Sequence, residues 1–460
     1  MKPICLLLAA ALSAGPAATA ATRPHYGGTL RVEMRGTLSS FDSTGEANAD
    51  RLALRDLIED AVCDRLTNLN SRGEPQPSLA TSWRSERDGR SWKFTLRANV
   101  LLHNSNALSR QTVITALSAS NPSWRVRAEG PQVLIQSDTP VADLLYQLAE
   151  PQNSICLVGD KGQWIGSGAF QIGEFQAGQR IELRAFEDAW QGRAFLERIR
   201  IEMGKSLADQ SADLQLGKAD VIESDPAQPR SAGSAASSTS QPAELLALVF
   251  SANRPVGSDG KVREAIARAI DRNSIFSVLL RRQGEPNAAL LPEWISGYDH
   301  LFNTAQDLAT ARRLRNEAGS VSPLSLAYDA SDPLAKQVAE RLEVNAREAG
   351  ILLQPSPEAG PSRKADADAR LMRVRIQSPD PAAALAAIGE TLGVTALRKA
   401  QAAASIEALY GIESEVLKDH SIIPIAHIPA AFSLAPAVHD WMITSWGTID
   451  LADLWVEAAR

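Results

Sequence analysis

The apolar run Leu324-Ser325-Leu326-Ala327-Tyr328 leads to Asp332-Pro333, and from there Leu334, Val338, Leu342 and Ala346 recur every fourth residue up to Gly350. Ile351-Leu352-Leu353 then restores the strand pattern. Asp as an N-cap, Pro at the first helical position and Gly after the last turn bracket a helix. A strand, a helix and a second strand in this order form a βαβ unit, and its crossover makes the two strands parallel. This part of the chain is therefore α/β. Leu245–Phe250 reads as another buried strand. Helix follows from Val262 to about Arg282, with Asp271 placed to cap a second segment.

The N-terminal half is patterned differently. Thr29-Leu30-Arg31-Val32-Glu33-Met34 alternates with period two, as a half-buried strand does. A helix is expected at about 50–66, with Leu52, Leu57, Ile58, Ala61 and Val62 on one side. Hairpin signals come next. Asp88-Gly89 separates a strand near Trp83 from Trp92–Arg97, Gly130-Pro131 separates Trp124–Ala128 from Val133–Ile135, and Gly178-Gln179 separates Phe170–Phe175 from Ile181–Phe186. Residues 224–242 are rich in Ser, Ala and Pro and read as a loop or linker between the two halves. No internal repeat is present.

With 460 residues, 44% hydrophobic and 22% charged, the chain is too apolar to be disordered and long enough for two or three domains. A net charge of -7 argues against a nucleic-acid or anionic-membrane surface. Aromatic residues make up 5%, which is thin for binding by stacking.

Lys2, the apolar run Ile4–Leu12, Gly15-Pro16 and Ala18-Thr19-Ala20 have the order of a cleavable signal peptide over residues 1–20. The apolar run is shorter than the roughly 20 residues a bilayer span needs. Cys5 lies inside this run, not after a lipoprotein-type motif, so no membrane anchor is expected. The expected compartment is the periplasm. Cys63 and Cys156 remain after cleavage; in an oxidising compartment they either pair or stay as buried free thiols.

A search for catalytic chemistry returns little. Ser258-Asp259-Gly260-Lys261 matches the S-x-x-K pattern of serine–lysine acylases, but Asp and Gly suit a turn and no companion motif follows. The six His lack the i, i+3 or i, i+4 spacing of a helical metal site. Asp366 and Asp368 sit in a charged, loop-like stretch. No enzyme activity, cofactor or metal is expected.

Several segments, in order, resemble the family 5 extracellular solute-binding proteins, the periplasmic oligopeptide- and dipeptide-binding components of ABC importers. They are Gly27–Val32, Pro77–Trp83, Trp92–Arg97 leading to Val100 and His103, Gly166–Phe170, Phe186–Trp190 with Gly192, Leu216–Ile222, Phe250–Asn253, Lys261–Ile266 with Ala269–Arg272, and Ile423–His427. The resemblance implies a two-lobed clamshell of the type II, class C-like kind, with a β-rich domain inserted in lobe one. Lobe one would comprise residues 27–45, 156–245 and 436–460, the inserted domain 46–155, and lobe two 246–435. It further implies a monomeric protein that binds a peptide or peptide-like solute between the lobes and delivers it to an inner-membrane permease.

The resemblance breaks down at several positions. Family peptide binders place an Asp for the peptide amine three residues before a D-P or E-P pair. Here Asp380-Pro381 fits the pair, but the amine position falls on Gln377 and the preceding Trp position on Val374. Arg373 and Arg375 lie nearby; facing the cleft they would favour an anionic group, and otherwise they turn to solvent. Residues 354–370 read as a polar loop without aromatics, and Ala426 also stands where relatives carry an aromatic. Candidate ligand contacts are Gln377, Arg375, Asp380, Asn253 and the loop Gly166, Ser167 and Gly168. Two other readings stand beside transport: a clamshell sensor or accessory protein, and an exported hydrolase built on Ser258 and Lys261.

Overall fold

The computed structural model describes residues 24–41, 49–86, 89–160, 162–224, 236–254, 259–358, 367–403 and 405–457. The expected signal segment, Asp88, Ser258 and Asp366 lie outside them.

One mixed sheet runs the length of the molecule. Its first part orders the strands Phe170–Gln176, Arg180–Ala185, Arg198–Glu202, Thr29–Glu33 and Val221–Glu223. Two long antiparallel strands, Ala236–Phe250 and Ile422–Leu434, then cross to the second part. There Ala369–Arg375, Leu324–Asp329 and Leu353–Glu358 complete the order. The crossing strands bond to lobe one at Val221–Leu434 and to lobe two from Glu244–Arg375 to Phe250–Ala369. They are the double connection between the lobes.

The βαβ unit forms as its pattern predicts. Strand Leu324–Asp329 pairs in parallel with Leu353–Glu358, and helix Pro333–Glu348 joins them. Asp332 caps that helix by accepting from Leu334 N at 2.9 Å and Ala335 N at 3.2 Å. The second strand continues through Pro355 and Pro357, so the start of the polar stretch is strand and not loop. It is an edge strand, where Pro costs no ladder bond. Asp368, expected to be solvated, accepts from Ser325 N and Oγ at 2.8 Å each.

The Ser-rich stretch also departs from expectation. Residues 236–242 are strand, pairing with residues 429–434. Ladder bonds use only the backbone, so a Ser/Thr sequence pairs wherever a neighbouring strand holds it in register.

Four large apolar clusters among the described residues underlie this architecture. The first packs strands Thr29–Glu33, Arg180–Ala185 and Arg198–Glu202 against helix Ala49–Val62 through Leu54, Leu57, Ile58 and Val62. That helix packs in lobe one, although it was expected with the inserted domain. A second core, with Leu79, Phe94, Val113, Leu117, Val133 and Ile135, holds the sheet Ala80–Ser85, Ser91–Leu96, Gln132–Gln136 and Arg125–Glu129 against helix Arg110–Ser120. In lobe two, Leu246 and Leu248 face one layer and Leu245 and Ala247 the other. Both faces being covered explains the unbroken apolar run. A disulfide joins Cys63 to Cys156, with Cα atoms 5.6 Å apart. It ties the end of helix Ala49–Val62 to the segment leaving the inserted unit.

Candidate functional site

Helix Ala49–Val62 has two faces. Leu54, Leu57, Ile58 and Ala61 enter the core, while Asp50, Asp56 and Asp60 lie on the other side, Asp50 and Asp56 meeting Arg373 and Arg375 of lobe two. Opposite runs strand Ala369–Arg375. Its alternation buries Val374 and Ile376 beside Leu245 and Leu385 and turns Arg373 and Arg375 toward the helix. Val374 therefore belongs to the core of lobe two and lines neither of the two cavities described below.

The two arginines lie largely out of solvent between the lobes, with side chains 15% and 8% exposed. Arg373 pairs with Glu244, with Asp332 at 2.9 Å and with Asp50 at 3.8 Å. Arg35 from lobe one pairs with the same Asp50 at 2.8 Å and with Glu223 at 3.4 Å. Arg375 pairs with Asp56 at 3.4 Å and donates to Gly447 O at 2.9 Å. Arg373, Arg35 and Arg375 thus each face carboxylates, so their charge is matched within the protein. Burial pushes the Asp50 carboxyl up to about 6 against the pull of Arg35 and Arg373, and burial raises Asp56 as well, against Arg375 and Gln377.

Gln377 Nε2 donates to Asp56 Oδ2 at 3.0 Å. Beyond this contact lies a cavity of about 170 Å³, walled by lobe one (Ser167, Gln191, Trp446, Asp450), by residues 65–78 and 149–151, and by Gln377 from lobe two. Its lining includes Asp60, Asp64 and Asp450 against Arg65, with Trp446 as the large aromatic surface. Arg65 pairs with Asp60. A larger chamber of about 500 Å³ lies at the other end of the helix, against the carboxyl ends of the parallel strands, and Asn253 lines it together with Asp50, Asp329 and Arg373.

The expected contacts therefore separate. Gln377 and Ser167 meet in the smaller cavity; Asn253 lies in the larger. Arg375 stands between the chambers as part of the ion-pair layer. Asp380 is the N-cap of helix Pro381–Leu392, accepting from Ala383 N at 2.9 Å, and lines neither cavity. Gly166 and Gly168 lie against the end of helix Ala49–Val62. A Cβ on Gly166 would come within 2.1 Å of Val62 O, so only glycine allows the approach. His103 locks this loop, donating from Nε2 to Gly168 O at 3.1 Å and accepting from Gly166 N at Nδ1 at 3.3 Å. Lys261, half of the S-x-x-K pattern, begins an outer helix and pairs with Glu317 at 3.4 Å.

Asp56, Asp64 and Trp446 escaped the sequence reading. Asp64 accepts from Ser167 Oγ and Trp190 Nε1 at 2.7 Å each and from Gln191 Nε2 at 3.2 Å. The recurrence of Asp50, Asp56, Asp60 and Asp64 beside an apolar helix face was the available signal.

Residues 74–393 match the family described as bacterial extracellular solute-binding proteins, family 5 Middle. The nickel-binding protein NikA of Staphylococcus aureus is 22% identical over 318 residues, 64% of this chain and 64% of that protein. The peptide transport periplasmic protein SapA of Salmonella typhimurium is 22% identical over 413 residues, 75% of this chain and 73% of that protein. Among solved structures, the ABC transporter-associated periplasmic binding protein DppA from Helicobacter pylori, in complex with the peptide STSA, superposes with a TM-score of 0.81 at 16% identity, covering 95% of this chain and 99% of that one. No helix among the described residues is long and apolar enough to cross a membrane.

Proposed function

Because the chain belongs to the family 5 bacterial extracellular solute-binding proteins, the binding components of ABC importers, we propose that it captures a short peptide or peptide-like solute in the periplasm. The solute would be passed to an inner-membrane permease. The cavity next to Gln377 carries this reading, because both lobes and the inserted unit contribute walls to it. Closure about the crossing strands Ala236–Phe250 and Ile422–Leu434 would enclose a ligand there.

The charge of the cavity sets the expected ligand class. Asp60, Asp64 and Asp450 outnumber Arg65, and Asp56 lies behind Gln377. An amino group fits these surroundings better than a free anion. Gln377 gives up the direct ion pair of the family pattern but leaves an acceptor, Oε1, for an N–H donor. Trp446 offers an apolar face, and a volume near 170 Å³ suits a ligand of one to three residues better than a long peptide.

The test is mass spectrometry of whatever co-purifies, followed by thermal shift with free di- to hexapeptides, their N-acetylated forms, small anions and a nickel–histidine complex. A ligand at a hundred times its dissociation constant stabilises by about 2.7 kcal/mol. Short free peptides should shift the transition, and N-acetylation should remove most of the shift. A response to anions alone would sink the peptide reading, and a response to the nickel complex alone would move the ligand to the class named for NikA.

A further inference from the structure

Helix Ala49–Val62 of lobe one and strand Ala369–Arg375 of lobe two both lead from the larger chamber toward the cavity at Gln377. Asp50 and Arg373 line the chamber, and Asp60 and Gln377 line the smaller cavity. Between these ends, three side-chain contacts cross from one lobe to the other. Arg373 lies 3.8 Å from Asp50, Arg375 lies 3.4 Å from Asp56, and Gln377 Nε2 donates to Asp56 Oδ2 at 3.0 Å. Side chains alternate along a strand, so Arg373 and Arg375 share a face. Gln377, two residues on, reaches the same carboxylate as Arg375.

These contacts divide the cleft. Among the described residues, none lines both cavities. A gap of about 40 Å³ remains beside Ala53, Arg373 and Arg375, which is room for a few water molecules and not for an amino-acid residue. Both arginines are also held from behind. Arg373 pairs with Glu244 and, at 2.9 Å, with Asp332, and Arg375 donates to Gly447 O at 2.9 Å. Neither can swing aside without giving up charge-assisted bonds that lie largely out of solvent. The barrier also has a thickness. From Arg373 to Gln377 an extended chain covers about 13 Å, at about 3.4 Å per residue. A peptide held by its amino end at Gln377 and lying along this strand therefore meets Arg375 after about two residues.

We propose that the Arg375–Asp56 and Arg373–Asp50 pairs partition the cleft and set the length of the solute, admitting di- and tripeptides on the Gln377 side and keeping longer chains out of the larger chamber. This deepens the peptide reading and rests on it for the chemistry of the ligand; the partition itself is made by the protein's own charges. Such a wall selects by exclusion. A fourth residue would have to break a buried ion pair and leave a carboxylate or a guanidinium without its partner, a cost that a shorter peptide does not meet. Arg375, which stands nearest Gln377, is the residue that fixes the limit.

The experiment is calorimetric titration with free oligo-alanines of two to six residues, on the parent protein and on Arg375→Ala and Arg375→Lys. The parent should bind the di- and tripeptide and lose at least about tenfold in affinity at the tetrapeptide. Arg375→Ala opens the wall and should raise the ratio of tetrapeptide to dipeptide affinity at least about tenfold, whereas Arg375→Lys, which keeps a cation opposite Asp56, should keep the parent's limit. Circular dichroism separates an opened wall from a lost fold, and the parent series decides the matter without any variant. Tetra- to hexapeptides bound by the parent as tightly as the tripeptide, or an unchanged ratio in folded Arg375→Ala, would overturn the partition and leave the peptide reading standing. If no peptide of any length binds, the peptide reading falls, and a co-crystal with the co-purified solute judges the partition. A solute confined to one side of the two arginines upholds it, and one that spans from Gln377 to Asn253 overturns it.

Discussion

Gln377 Nε2 donates to Asp56 Oδ2 at 3.0 Å, joining lobe two to the acidic face of helix Ala49–Val62. An amide meets a carboxylate at the position where family peptide binders carry an Asp. The contact is neutral on one side, so Asp56 keeps its charge partner in Arg375.

Gln377→Asp should therefore destabilise the free protein. It sets a second carboxylate beside a buried one and removes a donor. The expected loss is about 1–3 kcal/mol at neutral pH. Thermal unfolding should show a lower midpoint, partly restored by an amine-bearing ligand. An unchanged midpoint would mean that the Asp56 carboxyl is not held by this bond.

Arg373 is the keystone of the ion-pair layer, shared by Glu244, Asp332 and Asp50. Arg373→Met leaves three buried carboxylates short of a cation, and a loss of about 3–5 kcal/mol is expected. Denaturant unfolding measures this directly. The loss should shrink toward acid pH, where Asp50 is protonated at about 6.

Glu413 sets a pH dependence. It accepts from Tyr298 Oη at 2.7 Å and from Leu290 N. Burial raises its carboxyl from 4.5 to about 7, against these hydrogen bonds. The native state then holds a proton that the unfolded state has lost, so this group's contribution is present at low pH and is lost as pH rises from about 4.5 to 7. Glu413→Gln mimics the protonated form. It should match the parent protein at pH 5 and exceed it at pH 8 by up to about 3 kcal/mol, read from chemical unfolding at the two pH values. Equal stability at both values would contradict the assignment.

The Cys63–Cys156 disulfide closes a separation of 93 residues around the inserted unit. Replacing both by Ala should cost about 2–4 kcal/mol. Thermal midpoints with and without reductant should differ for the parent protein and coincide for the double variant.

Much of the framework could be read from residues in order. Capping Asp332, the fourfold spacing from Leu334 to Ala346 and terminal Gly350 predicted the helix and the parallel strand pair, because these signals act within a few residues. The Gly130 and Gly178 turns did the same for their hairpins. Extent was less legible. The Ser-rich composition of residues 236–242 hid a strand, and prolines hid the edge strand Leu353–Glu358, because pairing depends on a neighbour brought in from elsewhere.

The site was legible only in part. Gln377 and Ser167 reach one cavity, but Asp380 turned out to be a cap, and the glycines of the 166–168 loop serve a close backbone approach. Arg373 and Arg375 show why. Strand alternation told that they share a face, and not whether that face meets water or Asp50 and Asp56.

What the sequence determined by itself is what local chemistry controls: the caps, turns and apolar periodicities, and through their order the family. Only the tertiary structure decided which charges meet. Asp56 and Gln377 are 321 positions apart, and Glu285 and His427 face each other from separate segments. The first pairing depends on how two lobes close on one another and the second on how distant segments of lobe two pack together, and burial then sets their strength, so no window of the chain contains them.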